Sequence, residues 1–229
     1  MNVAAAKTEA TALFRRFLIT LVRIAVGARS EWLGCTPKPT RRIYFANHGS
    51  HVDTIAVMAA LPWQVRRRTH PVAARDYWGK TRLHRFIAET VVCAVLIDRK
   101  PGPGSNPLAP VERLLERGQS ILIFPEGTRA DGDEVAEFRS GIFRLAQRFP
   151  GIELVPVYLD NLRRILPKGS MLPVPITCTA RFGAPLRLQP GEEKAEFLQR
   201  ARSAVLALDV VRPVPAPPVN PDASPAVRP

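Results

Sequence analysis

Cysteine is scarce in this sequence, with 3 residues in 229. Cys35, Cys93 and Cys178 are scattered, odd in number and not spaced like metal ligands. This pattern argues against a disulfide framework and favours free thiols in a reducing compartment.

Long hydrophobic runs are also lacking, and no apolar stretch approaches the ~20 residues that cross a bilayer. The N-terminus superficially resembles a signal peptide. However, Arg23 interrupts its apolar stretch, and Arg15 and Arg16 lie well inside the chain. We therefore predict neither a cleaved signal peptide nor a spanning helix.

Acidic residues are few relative to basic ones: 20 Asp and Glu against 33 Lys and Arg, giving a net charge of +13 and a pI near 10.7. Such a balance indicates an anionic partner, which could be nucleic acid, an anionic membrane surface or a phosphorylated substrate. Arginine supplies most of the charge, and its planar guanidinium suits phosphate. Aromatic residues make up only 7%. No recognition-helix or RNA-binding signature is present, so we expect no nucleic-acid partner.

The hydrophobic pattern divides the chain into three parts. Residues 11–29 have the 3–4 residue apolar spacing of an amphipathic helix, which either lies in a membrane interface or packs on the core. We assign 1–29 to a membrane-interface helix and 30–211 to a globular domain. We expect the proline-rich segment 212–229 to be a disordered tail.

Strand and helix patterns alternate through the globular domain, which predicts an α/β fold: a layered domain with a largely parallel mixed sheet flanked by helices. The strands are predicted at 42–46, 70–74, 91–97, 120–124, 153–159 and 176–182, and the helices near 51–61, 80–89, 110–117, 138–149 and 191–209.

Polar residues follow three of the predicted strands. Asn47, His48 and Asp53 follow the first, Asp98 and Arg99 another, and residues 126–129 a third. The carboxyl ends of parallel strands share one edge of a sheet, where ligands bind. The sequence therefore predicts a cleft suited to removing a proton and holding a phosphate.

His48 is the candidate general base, because a neutral imidazole accepts a proton near pH 7. Asp53 could accept its other ring N–H and fix the tautomer. Alternatively, the Ser50-to-Asp53 spacing fits a helix capping box, and Asp53 could only cap. His51 is expected on a helix surface.

Four blocks in order resemble those of the glycerolipid acyltransferases, the 1-acylglycerol-3-phosphate (lysophosphatidate) acyltransferase family. The resemblance covers roughly residues 30–185. The first block is Asn-His-Gly-Ser-His-Val-Asp at 47–53, which has the family's H-x4-D pattern. The others are Val-Leu-Ile-Asp-Arg at 95–99, Phe-Pro-Glu-Gly-Thr-Arg at 124–129 and Val-Pro-Val-Tyr at 155–158, and the segment 138–141 is also similar.

The resemblance implies direct acyl transfer from acyl-CoA or acyl carrier protein to a hydroxyl of a lysophospholipid or glycerol phosphate. It implies the family's glycerol-3-phosphate acyltransferase-like fold, no acyl-enzyme, no metal and no cofactor beyond the donor substrate. His48 would be the base and Asp53 its partner, with Arg99 and Arg129 clamping the acceptor phosphate. The substrate-binding set would be Asn47, Ser50, Asp98, Arg99, Glu126, Gly127, Thr128, Arg129 and Pro156.

We expect a peripheral enzyme on the cytoplasmic face of the inner (plasma) membrane, with the anionic membrane surface as a partner. Three alternatives stay open: a different acceptor, either glycerol-3-phosphate or a lysolipid without phosphate; a non-catalytic basic protein that binds membrane or nucleic acid; and a metal-dependent hydrolase using His48, His51 and Asp53.

Overall fold

The computed structural model describes residues 17, 20, 27–50, 53–99, 102, 104–127, 135–160 and 178–209. Most of the predicted N-terminal helix, the proline-rich tail, and Thr128 and Arg129 of the predicted site lie outside these residues. Within the described ranges, no helix is long and apolar enough to cross a membrane.

Seven strands among the described residues form one sheet in the order β1-β7-β6-β2-β5-β3-β4. From β6 to β4 every neighbouring pair is parallel, whereas β7 runs antiparallel to β6 and parallel to β1. The predicted α/β fold with a largely parallel mixed sheet is confirmed. The strands are β1 (Arg29–Trp32), β2 (Arg42–Ala46), β3 (Thr69–Ala74), β4 (Val95–Ile97), β5 (Ser120–Ile123), β6 (Glu153–Asp160) and β7 (Thr179–Phe182).

Helices follow most strands and cover the sheet. They are α1 (Asp53–Ala60), α2 (Trp63–Arg66), α3 (Arg75–Trp78), α4 (Arg82–Phe86) with a π-helical turn at Ile87–Val91, α5 (Ala109–Glu116), α6 (Gly141–Arg148) and α7 (Lys194–Leu206). The end of α5 is set by Gly118, which has a φ of +72°. Gly118 N–H donates to the Leu115 carbonyl, and Gln119 N–H donates to the Leu114 carbonyl. This is the Schellman pattern that a glycine permits.

Strand β2 lies at the centre of the sheet, and all five of its residues are buried. Ile43 and Phe45 pack in the core on one face with residues of α5, α6 and α7. Tyr44 and Ala46 pack in the core on the other face with residues of α1. Alternating side chains thus fill two cores, which explains why β2 is apolar without alternation.

Two predicted boundaries were wrong. The apolar run 91–97 was predicted as one strand, but only Val95–Ile97 is extended. The π-helical turn ends at Val91, Ala94 N–H donates to the Ala88 carbonyl, and Cys93 takes a φ of +53° that redirects the chain. The helix predicted over 11–29 does not include Arg29, which begins β1 and donates its N–H to the Cys178 carbonyl.

Pro156 lies inside β6, where proline is uncommon because it cannot donate to a ladder. The β6–β7 register shifts by one residue between the Val157–Phe182 pair and the Leu154–Leu186 bridge. Pro156 sits in this bulge, and its carbonyl accepts the Gly183 N–H at 2.9 Å. A bulge tolerates a residue that cannot donate, and Pro156 is buried in the sheet.

Candidate active site

The carboxyl ends of β2, β3, β4 and β5 lie along one edge of the sheet because these strands are parallel. The structure brings His48, Arg99 and Gly127 to this edge from three separate parts of the chain. Asn47 is the first residue beyond β2. Its Oδ1 accepts the Leu159 N–H at 2.7 Å, and its Nδ2 donates to the Leu159 carbonyl at 3.3 Å. Asn47 thus ties the start of the turn to β6 and acts as a positioning residue.

His48 and Asp53 are in direct contact: Nδ1 lies 2.8 Å from Asp53 Oδ2. The Asp53 side chain is only 2% exposed, whereas the His48 side chain is 21% exposed. A carboxylate accepts but does not donate, so in a neutral imidazole this contact selects the tautomer with the proton on Nδ1 and the lone pair on Nε2. This is the tautomer that a general base acting through Nε2 requires.

Asp53 has a second role in the same turn. Its Oδ2 also accepts the Gly49 N–H at 2.7 Å and the Ser50 N–H at 2.8 Å. The bond back to Ser50 is that of a capping-box acid. Asp53 therefore caps the start of α1 and contacts His48 with the same oxygen, which fixes the imidazole relative to the helix.

The electrostatic effect of Asp53 extends to Cys178, the residue before β7. Burial, followed by the negative charges of Asp53 and Asp160, raises the pKa of the Cys178 thiol to about 12. Cys178 is 1% exposed. It therefore stays a protonated thiol beside the site and is no candidate nucleophile.

Two contacts from the loop that follows β5 also hold His48. The Phe124 ring stacks on the imidazole with centroids 4.4 Å apart and an interplanar angle of 25°. The backbone N–H of His48 donates to Glu126 Oε1 at 2.7 Å. Phe124 thus contacts one face of the imidazole, and Asp53 contacts its Nδ1 edge. The Glu126 carboxylate fixes the backbone of His48.

Glu126 is a buried link between two segments of the site, with 3% of its surface exposed. Its Oε1 accepts the His48 N–H, and its Oε2 accepts the Ala136 N–H at 3.0 Å. Burial raises the pKa of this carboxyl, while the two backbone donors act to lower it. Because both oxygens accept backbone N–H groups, Glu126 has a positioning role that the sequence did not predict, and its predicted contact with substrate stays a prediction.

Gly127 adopts a φ of +72°, a conformation that glycine adopts without strain. Its N–H donates to the Phe124 carbonyl at 3.1 Å, so that donor is already used within the loop. Its carbonyl accepts Arg99 Nη1 at 3.2 Å. Arg139 crosses beside it and donates from Nε to the Glu126 carbonyl at 3.1 Å.

We predict that Gly127→Ala lowers the catalytic activity of this site at least tenfold and destabilises the fold by about 1–3 kcal/mol, since it combines strain at positive φ with a steric clash. An added Cβ would lie 2.6 Å from Arg139 Nε and 2.7 Å from Arg139 Cδ. Steady-state kinetics and urea unfolding measure both effects. Gly141→Ala is the matched control, because a Cβ there meets nothing within 4 Å. Equal behaviour of the two variants would contradict the prediction.

Arg99 is anchored by Asp76 of α3, a residue that the sequence did not single out. Arg99 Nε donates to Asp76 Oδ1 at 3.1 Å, and Nη2 donates to Oδ2. The Arg99 side chain remains 39% exposed. Arg99 therefore joins α3 to the Gly127 loop, while part of its guanidinium stays open to solvent.

The remaining predicted site residues are Asp98, Pro156 and Ser50, together with Thr128 and Arg129, which lie outside the described ranges. Asp98 is exposed and pairs with Arg75 at 3.1 Å. Pro156 is buried beside Phe45 in the sheet. Ser50 contributes its N–H to Asp53. No role for Thr128 or Arg129 is described by the structure.

Sequence reasoning also missed Phe124 and Arg139 as site residues. Both fall in segments whose similarity to the acyltransferase blocks was visible, so the signal was present for them. Asp76 gave no such signal, because it lies 23 residues before Arg99. Across the described ranges, no group of three or more His, Cys, Asp or Glu side chains could hold a metal ion, and His51 lies outside those ranges.

The fold and the His48–Asp53 pair define a class of α/β protein with a histidine–carboxylate site at the carboxyl edge of its sheet. Comparison with known proteins identifies it: the Acyltransferase family matches residues 35–160, more than half of the chain. The chain belongs to this family.

The relatives that this chain resembles include 1-acyl-sn-glycerol-3-phosphate acyltransferases of plants and animals. It is 28% identical over 165 residues to that of Cocos nucifera, covering 68% of this chain and 49% of the relative. It is 28% identical over 152 residues to the alpha form of Homo sapiens, covering 64% and 50%. The chain thus spans about half the length of these curated relatives.

A solved structure shares the fold. The 1-acyl-sn-glycerophosphate (LPA) acyltransferase PlsC from Thermotoga maritima superposes with a TM-score of 0.63, covering 85% of this chain and 79% of that one. The two are 16% identical, so the likeness establishes the fold alone.

Proposed function

We propose that this protein transfers a fatty acyl group from an acyl thioester, acyl-CoA or acyl carrier protein, to the free hydroxyl of 1-acylglycerol-3-phosphate or a related lysophospholipid. The observation that carries the proposal is the 2.8 Å contact between His48 Nδ1 and buried Asp53, with the imidazole partly exposed at the carboxyl edge. Membership of the Acyltransferase family and the names of the relatives support the reaction and the acceptor.

In the proposed reaction, His48 Nε2 removes the proton of the acceptor hydroxyl as its oxygen attacks the thioester carbonyl carbon. The new C–O bond gives a tetrahedral oxyanion. Collapse of this intermediate breaks the C–S bond, and the proton on Nε2 passes to the departing thiolate. The products are the ester and the free thiol, and Asp53 stabilises the transient imidazolium throughout.

The site needs little beyond the base, because a thioester is already activated. Holding the hydroxyl, the carbonyl carbon and His48 in line supplies much of the rate. The contacts of His48 with Asp53, Phe124 and Glu126 fix the imidazole before substrate arrives. An imidazole that is already fixed does not have to reorganise when the two substrates are aligned for reaction.

We assign the acceptor phosphate to Arg99 and Arg129. Arg99 uses three of its N–H groups on Asp76 and the Gly127 carbonyl. A guanidinium has five donors, so two remain for phosphate oxygens. Arg129 follows Gly127 by two residues in the sequence and is proposed as the second cation.

The proposal is tested by offering the purified protein a panel of donors and acceptors and identifying products by mass spectrometry. The donors are acyl-CoA and acyl carrier protein, and the acceptors are lysophosphatidate, glycerol-3-phosphate and a lysolipid without phosphate. We expect phosphatidate from lysophosphatidate. Preferred acylation of another acceptor would correct the substrate, and no ester from any pair would refute the activity.

We predict that Arg129→Ala raises KM for lysophosphatidate about tenfold or more and changes kcat less, because removing one charge-assisted contact to phosphate costs roughly 1.5–3 kcal/mol. Initial rates at varied acceptor concentration measure the effect. Arg113→Ala, an exposed arginine of α5, is the matched control. An equal loss of kcat/KM with a phosphate-free acceptor would argue against the phosphate contact.

A further inference from the structure

A cluster of aromatic and basic residues borders the active edge of the sheet. It is built on α3 and α4, which follow the carboxyl end of β3 directly. The Asp76 carboxylate of α3 reaches Arg99, which in turn reaches the Gly127 carbonyl. We call this cluster the α3–α4 surface, and it consists of Tyr77, Trp78, Lys80, Arg82, Arg85 and Phe86.

Aromatic contacts hold the two short helices together. Tyr77 and Trp78 meet edge to face with centroids 5.5 Å apart. The His84 ring stacks on Tyr77 at 5.6 Å and lies 6.0 Å from Trp78. Tyr77 and Trp78 are both half-buried, and the basic residues Lys80, Arg82 and Arg85 follow them in the sequence, in α4 and in the turn before it.

The cationic members of the surface are exposed. Lys80, Arg82 and Arg85 make no ion pair with any residue that the structure describes. The acids nearby are Asp76, which is bound to Arg99, and Glu89, which is exposed in the π-helical turn. The surface therefore carries a net positive charge toward solvent.

Phe86, the last residue of α4, is 48% exposed although it is one of the large apolar residues of the described chain. An exposed phenyl ring flanked by arginines costs free energy in water and fits a lipid interface. There, apolar groups enter the acyl boundary, cations meet phosphates, and Tyr and Trp sit at headgroup depth.

From this combination we propose that the α3–α4 surface docks the protein on an anionic lipid bilayer, with Phe86 inserted and Lys80, Arg82 and Arg85 on lipid phosphates. Three cations without ion pairs among the described residues, a Tyr–Trp pair and an exposed phenyl ring are together the residue types of a lipid interface, so the bilayer is the occupant that we propose, and an acidic protein is an outcome that the test distinguishes. Docking would turn the edge that carries His48 toward the bilayer. The benefit of this orientation, access of His48 to a lipid acceptor, rests on the proposed function. Vesicle binding itself does not depend on turnover.

The test compares two triple variants of the full chain that change net charge equally. Lys80→Gln/Arg82→Gln/Arg85→Gln removes the proposed contacts. The matched control is Arg67→Gln/Arg113→Gln/Arg117→Gln, three exposed arginines toward the other end of the sheet. β3 spans six residues, which is about 20 Å. The control charges thus lie beyond the screening length of ~8 Å at physiological salt.

Partition to phosphatidylcholine vesicles with and without phosphatidylglycerol is measured by cosedimentation. Each charge near an anionic surface strengthens binding roughly fivefold, so we expect the α3–α4 variant to bind about 100-fold more weakly and the control only severalfold. Equal losses would mean that net charge alone drives binding and would overturn the proposal. Unchanged vesicle binding with weakened binding to an acidic carrier protein would assign the surface to a protein partner instead.

The apolar contact has its own matched pair. Phe86→Ser should weaken partition about tenfold, whereas Leu33→Ser, at a residue 54% exposed beyond β1, should not. Acyl transfer to a short-chain monomeric acceptor should survive in the α3–α4 triple variant, and His48→Ala should still bind vesicles. A failure of docking and a failure of the proposed activity are therefore distinguishable.

Discussion

His48→Ala is expected to lower kcat for acyl transfer by at least 10²–10⁴-fold, the usual contribution of a positioned general base. Without the imidazole, no group in the described turn can take the hydroxyl proton, since Asp53 lies buried behind it. Transfer of a radiolabelled acyl group from thioester to lysophosphatidate measures the loss.

The control for His48 is His70→Gln. His70 is half-buried in β3, and its Nδ1 lies 3.0 Å from the Cys93 carbonyl, a bond that glutamine can replace. This variant should keep its rate within about twofold. Circular dichroism should show both variants folded. Substantial turnover by folded His48→Ala would show that His48 is not the general base.

Glu126→Ala is expected to destabilise the protein by about 1–3 kcal/mol, because it removes a buried carboxylate that accepts the part-buried His48 and Ala136 N–H groups. Glu126→Gln should also fail to restore the site. A glutamine amide has one oxygen, so its NH2 group would face one of the two N–H donors. Urea unfolding measures the stability of both variants.

If Glu126 positions His48, its substitution should also change the kinetics, an effect that a purely stabilising role would not produce. Under conditions where Glu126→Gln is fully folded, kcat should fall tenfold or more while KM for the acceptor changes little, because the His48 backbone shifts. Glu116→Gln is the control: this exposed carboxylate pairs with Arg148 at 3.4 Å and should cost under 1 kcal/mol. A selective rise in acceptor KM for Glu126→Gln would instead return Glu126 to substrate binding.

Glu126 also shows how the site and the fold depend on each other. The Glu126 carboxylate accepts the backbone N–H groups of His48 and Ala136. The backbone carbonyl of Glu126 accepts a bond from Arg139 Nε. Arg139 in turn requires glycine at 127, because a Cβ there would overlap its side chain. The loop after β5 is thus built around the backbone of the residue that we propose as the base.

The sequence by itself determined what is local. β2 could be predicted because four consecutive apolar residues, Ile43 to Ala46, fill two cores. The His48–Asp53 pairing could be predicted because both residues lie in one turn, five positions apart. The end of α5 followed from Gly118, whose positive φ is a short-range property. Asp53 both contacts the His48 imidazole and accepts the Ser50 N–H at the start of α1, so both interpretations of its spacing apply.

Only the tertiary structure decided the contacts between distant segments. Glu126 meets the His48 backbone across 78 residues, and Arg99 meets Asp76 and the Gly127 carbonyl from a third segment. Edge strand β1 alternates exposed and half-buried residues and depends on β7 for its pairing. Local periodicity reports which face of an element is apolar, but it carries no information on which distant polar group will satisfy a buried carboxylate. That choice is made by strand order and by the requirement that buried donors and acceptors be paired.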